Sequence, residues 1–351
     1  MGRGTGTLPM RLGFAPGSWS AVAGDGLALV SMAERLGFDS VWIAESWGTD
    51  AFTPLAAIAA RCPRIRLGTG IAQIAARTPA MTAMTASTLD MLSDGRLLLG
   101  LGISGPQVVE GWHGQPFERP LARMREHVAI VREIMRRERT LEHHGDCYDI
   151  PYRGADGRGL GKALKLIQHP LRAEVPIYLG AIGPRNITLA GEIADGWIPL
   201  LMSPQRFDDV LAPPLTRGLQ RSGRALTQLD IAPLVWTVVG DDLDECRRSV
   251  KRRLARTIGG YGARSANFYK DLVVRYGNED VASRIQTLWL GGEREQAAAA
   301  VPDALVDELA LVGPERHIAE QLQAWQASPA TTLIAYTTQP EALRTLAKLL
   351  R

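Results

Sequence analysis

The chain has 351 residues, 46% hydrophobic and 22% charged, with a formal net charge of +3. That length suits one large α/β domain or two small ones. The small, dispersed charge, with no Lys/Arg run interleaved with aromatics, excludes a nucleic-acid surface. Cys62, Cys147 and Cys246 are odd in number and far apart, so neither a disulfide framework nor a metal site is built from them. They read as buried apolar residues in a reducing compartment. No stretch reaches the ~18 apolar residues of a membrane span, and MGRGTGTLPM lacks the apolar core of a signal peptide. The expectation is a cytoplasmic protein with a disordered tail over 1–9 and a single domain over 10–351.

In chain order, Arg11–Ala15 reads as a first strand. Leu29, Met32, Ala33 and Leu36 then share one helical face, closed by Gly37. Ser40–Ala44 is a second strand, 54–60 a short helix and 65–71 a third strand. Thr78-Pro79 is an N-cap followed by a first-turn proline, predicting a helix to Leu92. Arg96–Gly102 is the fourth strand, followed by a polar-aromatic loop, SGPQVVEGWHGQPFERP, with no helix directly after it. A helix follows with Leu121, Met124, Val128, Val131 and Met135 on one face. Residues 139–175 form an insertion that contains a hairpin, TLEHHGDCYDIP, and a glycine-rich surface loop.

Ile177–Leu179 is the fifth strand. Gly180, Ala181, Ile182 and Gly183 then leave backbone N–H groups uncovered, and Pro184 stands at a first helical position. Ile187, Ala190, Gly191 and Ala194 fall at helical spacing, Gly196 ends the helix, and 197–201 is the sixth strand. A helix N-terminus at a strand's C-terminal end suits a phosphate. Arg185 and Asn186 add donors there, although a tight turn alone would also use the glycines. Ile231–Val239 and Thr332–Tyr336 are the seventh and eighth strands. A helix near 243–257, a glycine loop at Gly259, Gly260 and Gly262, and further helices lie between them. Eight apolar strands with polar residues gathered after each one predict a parallel (β/α)8 TIM barrel, with insertions after strands 4 and 7. A doubly wound sheet is the runner-up, but no G-x-G-x-x-G follows the first strand. The six histidines show no metal spacing, so no metal is expected. No H-E-x-x-H, G-x-S-x-G or Walker motif occurs.

The runs LGTGIAQIAARTP, TLDMLSDGRLLLGLGISGP and LGAIGPRNITLAGEIADGW resemble the luciferase-like flavin and deazaflavin oxidoreductases. EGWHGQPFERPLARMREHV and GGYGARSANFYKDLVVRYG favour the coenzyme F-420-dependent subgroup, which includes methylene-tetrahydromethanopterin reductase and a glucose-6-phosphate dehydrogenase. The resemblance implies a homodimeric barrel that carries coenzyme F-420 across its strand C-termini and moves a hydride to or from a small organic substrate. The alternatives are a flavin mononucleotide (FMN) monooxygenase of the same family and a non-catalytic deazaflavin-binding protein. The resemblance places the cofactor phosphate at Gly180, Ala181, Ile182, Gly183, Pro184, Arg185 and Asn186. It places a non-prolyl cis peptide at Gly70–Ile71, and further cofactor contacts at Ser46, Ser104 and Gly105.

Glu45 matches an acidic residue beside the cofactor in relatives, with turn capping as its other reading. Where the sugar-phosphate dehydrogenase has a histidine next, this chain has Ser46, which argues against that substrate. Glu110 matches a glutamate at the hydride-transfer face, and an aromatic pocket with Trp112 would raise its pKa. Its other reading is a solvated loop carboxylate. Trp47, Trp112 and His113 are expected substrate residues, or else packing residues of long loops. The segments Ser104–Pro120 and Gly259–Tyr269 are expected to border the substrate cavity. Arg185 and Arg264 are expected to meet the cofactor's carboxylate tail.

Overall fold

The barrel strands are short and buried along nearly their whole length, as a parallel sheet covered by helices requires. In the computed structural model, which describes residues 10–22 and 24–350, eight such strands close a ring. They are β1 Arg11–Gly17, β2 Ser40–Ile43, β3 Arg66–Thr69, β4 Leu97–Gly102, β5 Ile177–Gly180, β6 Gly196–Ile198, β7 in two segments, Asp230–Ile231 and Leu234–Val239, and β8 Thr332–Tyr336. All neighbours pair in parallel, and β1 pairs with both β2 and β8. The expected (β/α)8 barrel is the observed fold; the expected tail over 1–9 lies outside the described residues.

The seventh strand differs from its expected continuous run. Pro233 has no N–H for the ladder, so the strand breaks at Ala232-Pro233. The first segment pairs with β6 and the second with β8, and together they close the ring. A further parallel strand, Ala310–Gly313, lies outside the barrel against Trp236–Val239 and was not legible in the sequence. Its four residues adjoin a helical run in the chain, and so short a run carries no period of its own.

The helices relevant here are α1 Gly26–Arg35, α2 Phe52–Arg61, α3 Pro79–Leu92, α4 Pro106–Gly111, α5 Pro120–Arg136, α6 Pro184–Ile193, α7 Ala212–Ser222, α8 Leu243–Gly260 and α9 Phe268–Arg275. The Thr78 side chain accepts the Met81 N–H at 3.1 Å, so α3 starts where its cap predicts. Gly37 takes φ +82° just past α1. The predicted hairpin is present, with His143–His144 antiparallel to Asp149–Ile150. Three local expectations change. Helix α4 begins directly after the fourth strand's loop, with Gly105 as N-cap and Pro106 in its first turn. Gly196 opens β6 instead of ending α6, because the Tyr178 ring lies where its Cβ would stand. Gly259 and Gly260 form the last turn of α8, where a Cβ on either would come within 2.5 Å of the Trp289 side chain.

Ala15, Trp42, Leu98, Tyr178, Ile198, Ala232 and Ile334 fill the barrel interior, separate from the larger layer between strands and helices. Trp42 fits because β3 carries Gly68: a Cβ there would stand 2.2 Å from the indole. At the N-terminal end of the strands, Asp230 Oδ2 accepts from Tyr178 Oη at 2.7 Å and pairs with Arg11 at 2.6 Å. Asp230 Oδ1 accepts from Thr332 Oγ1 at 3.0 Å, so polar groups plug that end in mutual contact.

Candidate active site

At the opposite end the backbone departs from the ladder. The Gly70–Ile71 peptide is cis, as the resemblance implied. Gly70 N–H donates to the Ile43 carbonyl at 2.8 Å, and Glu45 N–H donates to the Ile71 carbonyl at 3.3 Å, which ties the ends of β2 and β3 together. The Ile71 side chain lies over the ends of β4 and β5. A Cβ on Gly102 would meet it at 2.5 Å and one on Gly180 at 3.0 Å. Those two glycines are therefore required by a close approach, and Ile71 becomes an apolar floor at the barrel mouth. Gly100 lies below: its N–H donates to Thr69 Oγ1 at 2.8 Å, and a Cβ there would stand 1.9 Å from the Thr69 carbonyl.

Glu45 stands beside this floor. Its side chain is 7% exposed; one oxygen meets Arg77 Nη1 at 3.3 Å, and Oε2 is buried with no partner. Burial pushes its pKa up and Asp50 adds to this. Arg77 and the Ala51 N–H oppose the rise without cancelling it. Gln73 is buried next to it: Nε2 donates to the Ser46 carbonyl at 3.0 Å, while Oε1 has no partner. The mouth thus holds two acceptor oxygens without donors, a condition rare in a core and common where a ligand binds.

The fifth strand leads into the expected anion site. Gly183 is the N-cap of α6 and Pro184 sits in its first turn. The helix's first backbone bond runs from Ile187 N–H to the Gly183 carbonyl, which leaves the Arg185 and Asn186 N–H groups without an intrahelical partner. The position of a Gly183 Cβ is open space. Asn186 Oδ1 is buried without a partner, and Arg275 of α9 donates to the Ile182 carbonyl at 3.0 Å. Ala181 is buried and accepts from Trp197 Nε1 at 2.9 Å. Free N–H groups, open space at Gly183 and an arginine alongside fit a phosphate, and the lone Asn186 oxygen fits a polyol hydroxyl. Ser104, after β4, has φ +59°, a left-handed conformation rare for a non-glycine residue, and Gly105 follows as the cap of α4. Arg185 is exposed at this end, and Arg264 is exposed in the loop after α8.

Other expected residues are more exposed. Glu110 is exposed on α4, where Oε1 accepts the Phe117 N–H at 3.4 Å. No aromatic pocket encloses it: Trp112, next on the same turn, is 65% exposed, because the six-residue helix turns this face to solvent. Trp47 is 49% exposed, and Ser46 contributes its carbonyl to Gln73. His113 is half-buried with Nε2 unpartnered. Cys147 is only half-buried, against expectation, since it sits in the hairpin; Cys62 and Cys246 are buried. The Gly259–Tyr269 segment does reach the strand C-termini. The Tyr261 and Tyr269 rings lie 5.7 Å apart, and burial pushes the Tyr269 phenol upward, with Tyr261 and Tyr336, the last residue of β8, adding to it. Sequence reasoning passed over Gln73, Arg77 and Arg275. Arg77 and Gln73 lie within LGTGIAQIAARTP, but a lone arginine or glutamine in a loop carries no period that marks it.

Fold and site together define a (β/α)8 barrel whose strand C-termini carry a helix N-terminus with free N–H groups, an apolar floor and a buried carboxyl with one free oxygen. The chain belongs to the luciferase-like monooxygenase family, whose model matches residues 7–332. It is 44% identical, over 97% of this chain and 99% of the relative, to a Mycobacterium tuberculosis protein provisionally named a coenzyme F420-dependent oxidoreductase. In three dimensions it resembles the coenzyme F420-dependent tetrahydromethanopterin reductase of Methanopyrus kandleri, with a TM-score of 0.80 and 21% identity over 97% of this chain and 98% of that one. It also resembles an F420-dependent secondary alcohol dehydrogenase, with a TM-score of 0.77 and 16% identity over 98% of this chain and all of that one. Among the described residues no helix is long and apolar enough to cross a membrane, and no cluster of side chains is arranged for a metal ion.

Proposed function

We propose that this protein is a coenzyme F420-dependent oxidoreductase that moves a hydride between the deazaflavin and a small organic substrate. The observation that carries this reading is Glu45, a carboxyl with a raised pKa and one free oxygen beside the apolar floor of Ile71. Bound there, the deazaflavin would supply the carbon that gives or takes the hydride. The N–H groups at the start of α6 and the Arg275 side chain would hold its phosphate, and Ile71 would exclude water from beneath the ring. Reduction of a carbonyl or imine leaves an atom that needs a proton. Glu45 Oε2, protonated more readily than an ordinary carboxyl, would supply it; in the reverse direction the ionised carboxylate would accept it. The name of the 44%-identical relative supports F420 as the cofactor. An FMN-dependent monooxygenase, in keeping with the family's name, is the second reading.

A homodimer is part of the same proposal. Met81, Met84 and Met91 are 40–51% exposed and Leu92 61% exposed, together on the outer side of α3. An apolar helix face of that kind suits a second copy of this chain. The function is tested by mixing protein, reduced F420 and a panel of ketones, aldehydes and imines without oxygen. Recovery of the oxidised deazaflavin absorbance with one of them is the expected result. Consumption of oxygen by the protein with reduced FMN, and none of these turnovers, would overturn it.

A further inference from the structure

Helix α5 carries four arginines, and three of them have carboxylate partners: Arg125 with Glu192 at 2.8 Å, Arg132 with Asp195 at 3.0 Å and Arg136 with Glu174 at 2.8 Å. Arg123 alone has none among the described residues. Its guanidinium lies over the Tyr148 ring at 5.7 Å, and its Nε is buried without a hydrogen-bond partner. A buried guanidinium nitrogen without an acceptor is costly unless something else meets it.

What Arg123 faces is a cavity of about 290 Å³, walled by the loop after β3, the segment around α4 and the hairpin. Arg77 lines the same cavity, with Gln115 and Tyr148 as further polar groups and Ile74 and Val109 among its apolar walls. No acidic side chain lines it. A second cavity, of about 300 Å³ between α5 and α6, makes the contrast. Its arginines stand among Glu174, Glu192 and Asp195, so its charges neutralise one another. The cavity behind Arg77 is lined by two guanidinium groups and no carboxylate: Arg77 meets Glu45, which is not among the lining residues, and Arg123 meets no carboxylate among the described residues.

We propose that this cavity binds a small organic acid, with its carboxylate groups held by Arg77 and Arg123 and its carbon chain against Ile74 and Val109. Guanidinium groups recognise carboxylates by paired, charge-assisted hydrogen bonds, and the apolar walls favour a molecule with an aliphatic body over a bare inorganic ion. The site connects to the mouth through a single residue, since Arg77 also meets Glu45 at 3.3 Å. An anion bound in the cavity therefore competes with Glu45 for that guanidinium. The carboxylates have two sources, a dissociable substrate or effector and the acidic tail of the cofactor, and the site itself stands whichever cofactor the barrel holds.

The test is calorimetric titration of the full chain with glutarate and with its uncharged diamide. Saturable binding of glutarate alone is expected. At least tenfold weakening is expected in Arg123→Gln and in Ala75→Leu, which narrows the cavity without altering charge, with recovery in Arg123→Lys. Circular dichroism checks that each variant is folded, and Ala75→Leu decides if Arg123→Gln is not. Repeating the titration with F420 bound separates the sources: glutarate excluded by F420, but not by F420 stripped of its glutamates, assigns the pocket to the tail. Glutarate binding unchanged by F420 assigns it to a separate organic acid. No saturable binding, or equal binding to wild type, Arg123→Gln and Ala75→Leu, would overturn the site.

Discussion

The two ends of the barrel are built from similar residue types in opposite states. At the N-terminal end Asp230 meets Arg11, Tyr178 and Thr332, so its carboxylate is fully occupied by the protein. At the C-terminal end Glu45 Oε2, Gln73 Oε1 and Asn186 Oδ1 are buried with no partner, and the first N–H groups of α6 are free. A closed network supports the fold; one left open needs a ligand to complete it. In this fold the strand C-termini are where loops vary and chemistry resides, while the other end serves stability.

Of the groups at the two ends, Glu45 should show the largest effect when changed. Glu45→Gln keeps the side chain's shape and removes its proton chemistry, so kcat should fall by roughly 10²–10⁴ with little change in cofactor affinity. The wild-type rate of substrate reduction should decline as pH rises through a pKa above the ordinary carboxyl value, because burial favours the protonated form that donates. The variant should lack that limb. A kcat within threefold of wild type would remove Glu45 from the chemistry.

A paired group can also be tested near the mouth. His127 contacts Thr82 Oγ1 at 3.0 Å and the Tyr148 hydroxyl at 3.2 Å, and burial, with Arg123 adding to it, lowers its pKa from 6.5 to about 4. The folded state then binds this proton less tightly than the unfolded chain. Its contribution to stability is complete above the unfolded value and is lost as pH falls toward 4. The loss should reach about 3 kcal/mol, and His127→Gln should lose less between pH 7 and pH 4 in urea unfolding. Parallel pH dependence in the two proteins would contradict a neutral, buried imidazole.

At the cradle, Gly183→Asp places a carboxylate in open space at the α6 N-terminus, so unfolding should change little. Cofactor affinity should drop about a hundredfold, the effect of a like charge against a phosphate. At the other end Asp230→Asn should cost about 2 kcal/mol of stability and leave cofactor affinity unchanged. If Asp230→Asn changed affinity as much as Gly183→Asp, the two ends would not divide stability from binding.

The legible parts of this molecule are those with a local cause. Thr78-Pro79, Gly37 and the Gly180–Pro184 run act through their own backbone geometry, so the α3 cap, the α1 stop and the start of α6 could be placed from the chain alone. Glu45 was legible because it ends an apolar strand. The aromatic enclosure expected for Glu110 was not legible, because the exposure of Glu110 and Trp112 depends on how α4 turns. Gln73 and Arg123 escaped notice because their significance lies in a missing partner, and Arg77 because its partner Glu45 lies 32 residues away, properties of three-dimensional packing that no spacing records. The break at Pro233 has a local cause too, and the apolar run around it concealed it.

The most direct test of the proposed function is a titration of the protein with F420 and, separately, with FMN, following quenching of tryptophan fluorescence. The predicted result is saturable quenching by F420 that is strongly weakened in Gly183→Asp and in Arg185→Ala. Tight binding of FMN with no response to F420 would contradict it and make the flavin monooxygenase reading the correct one.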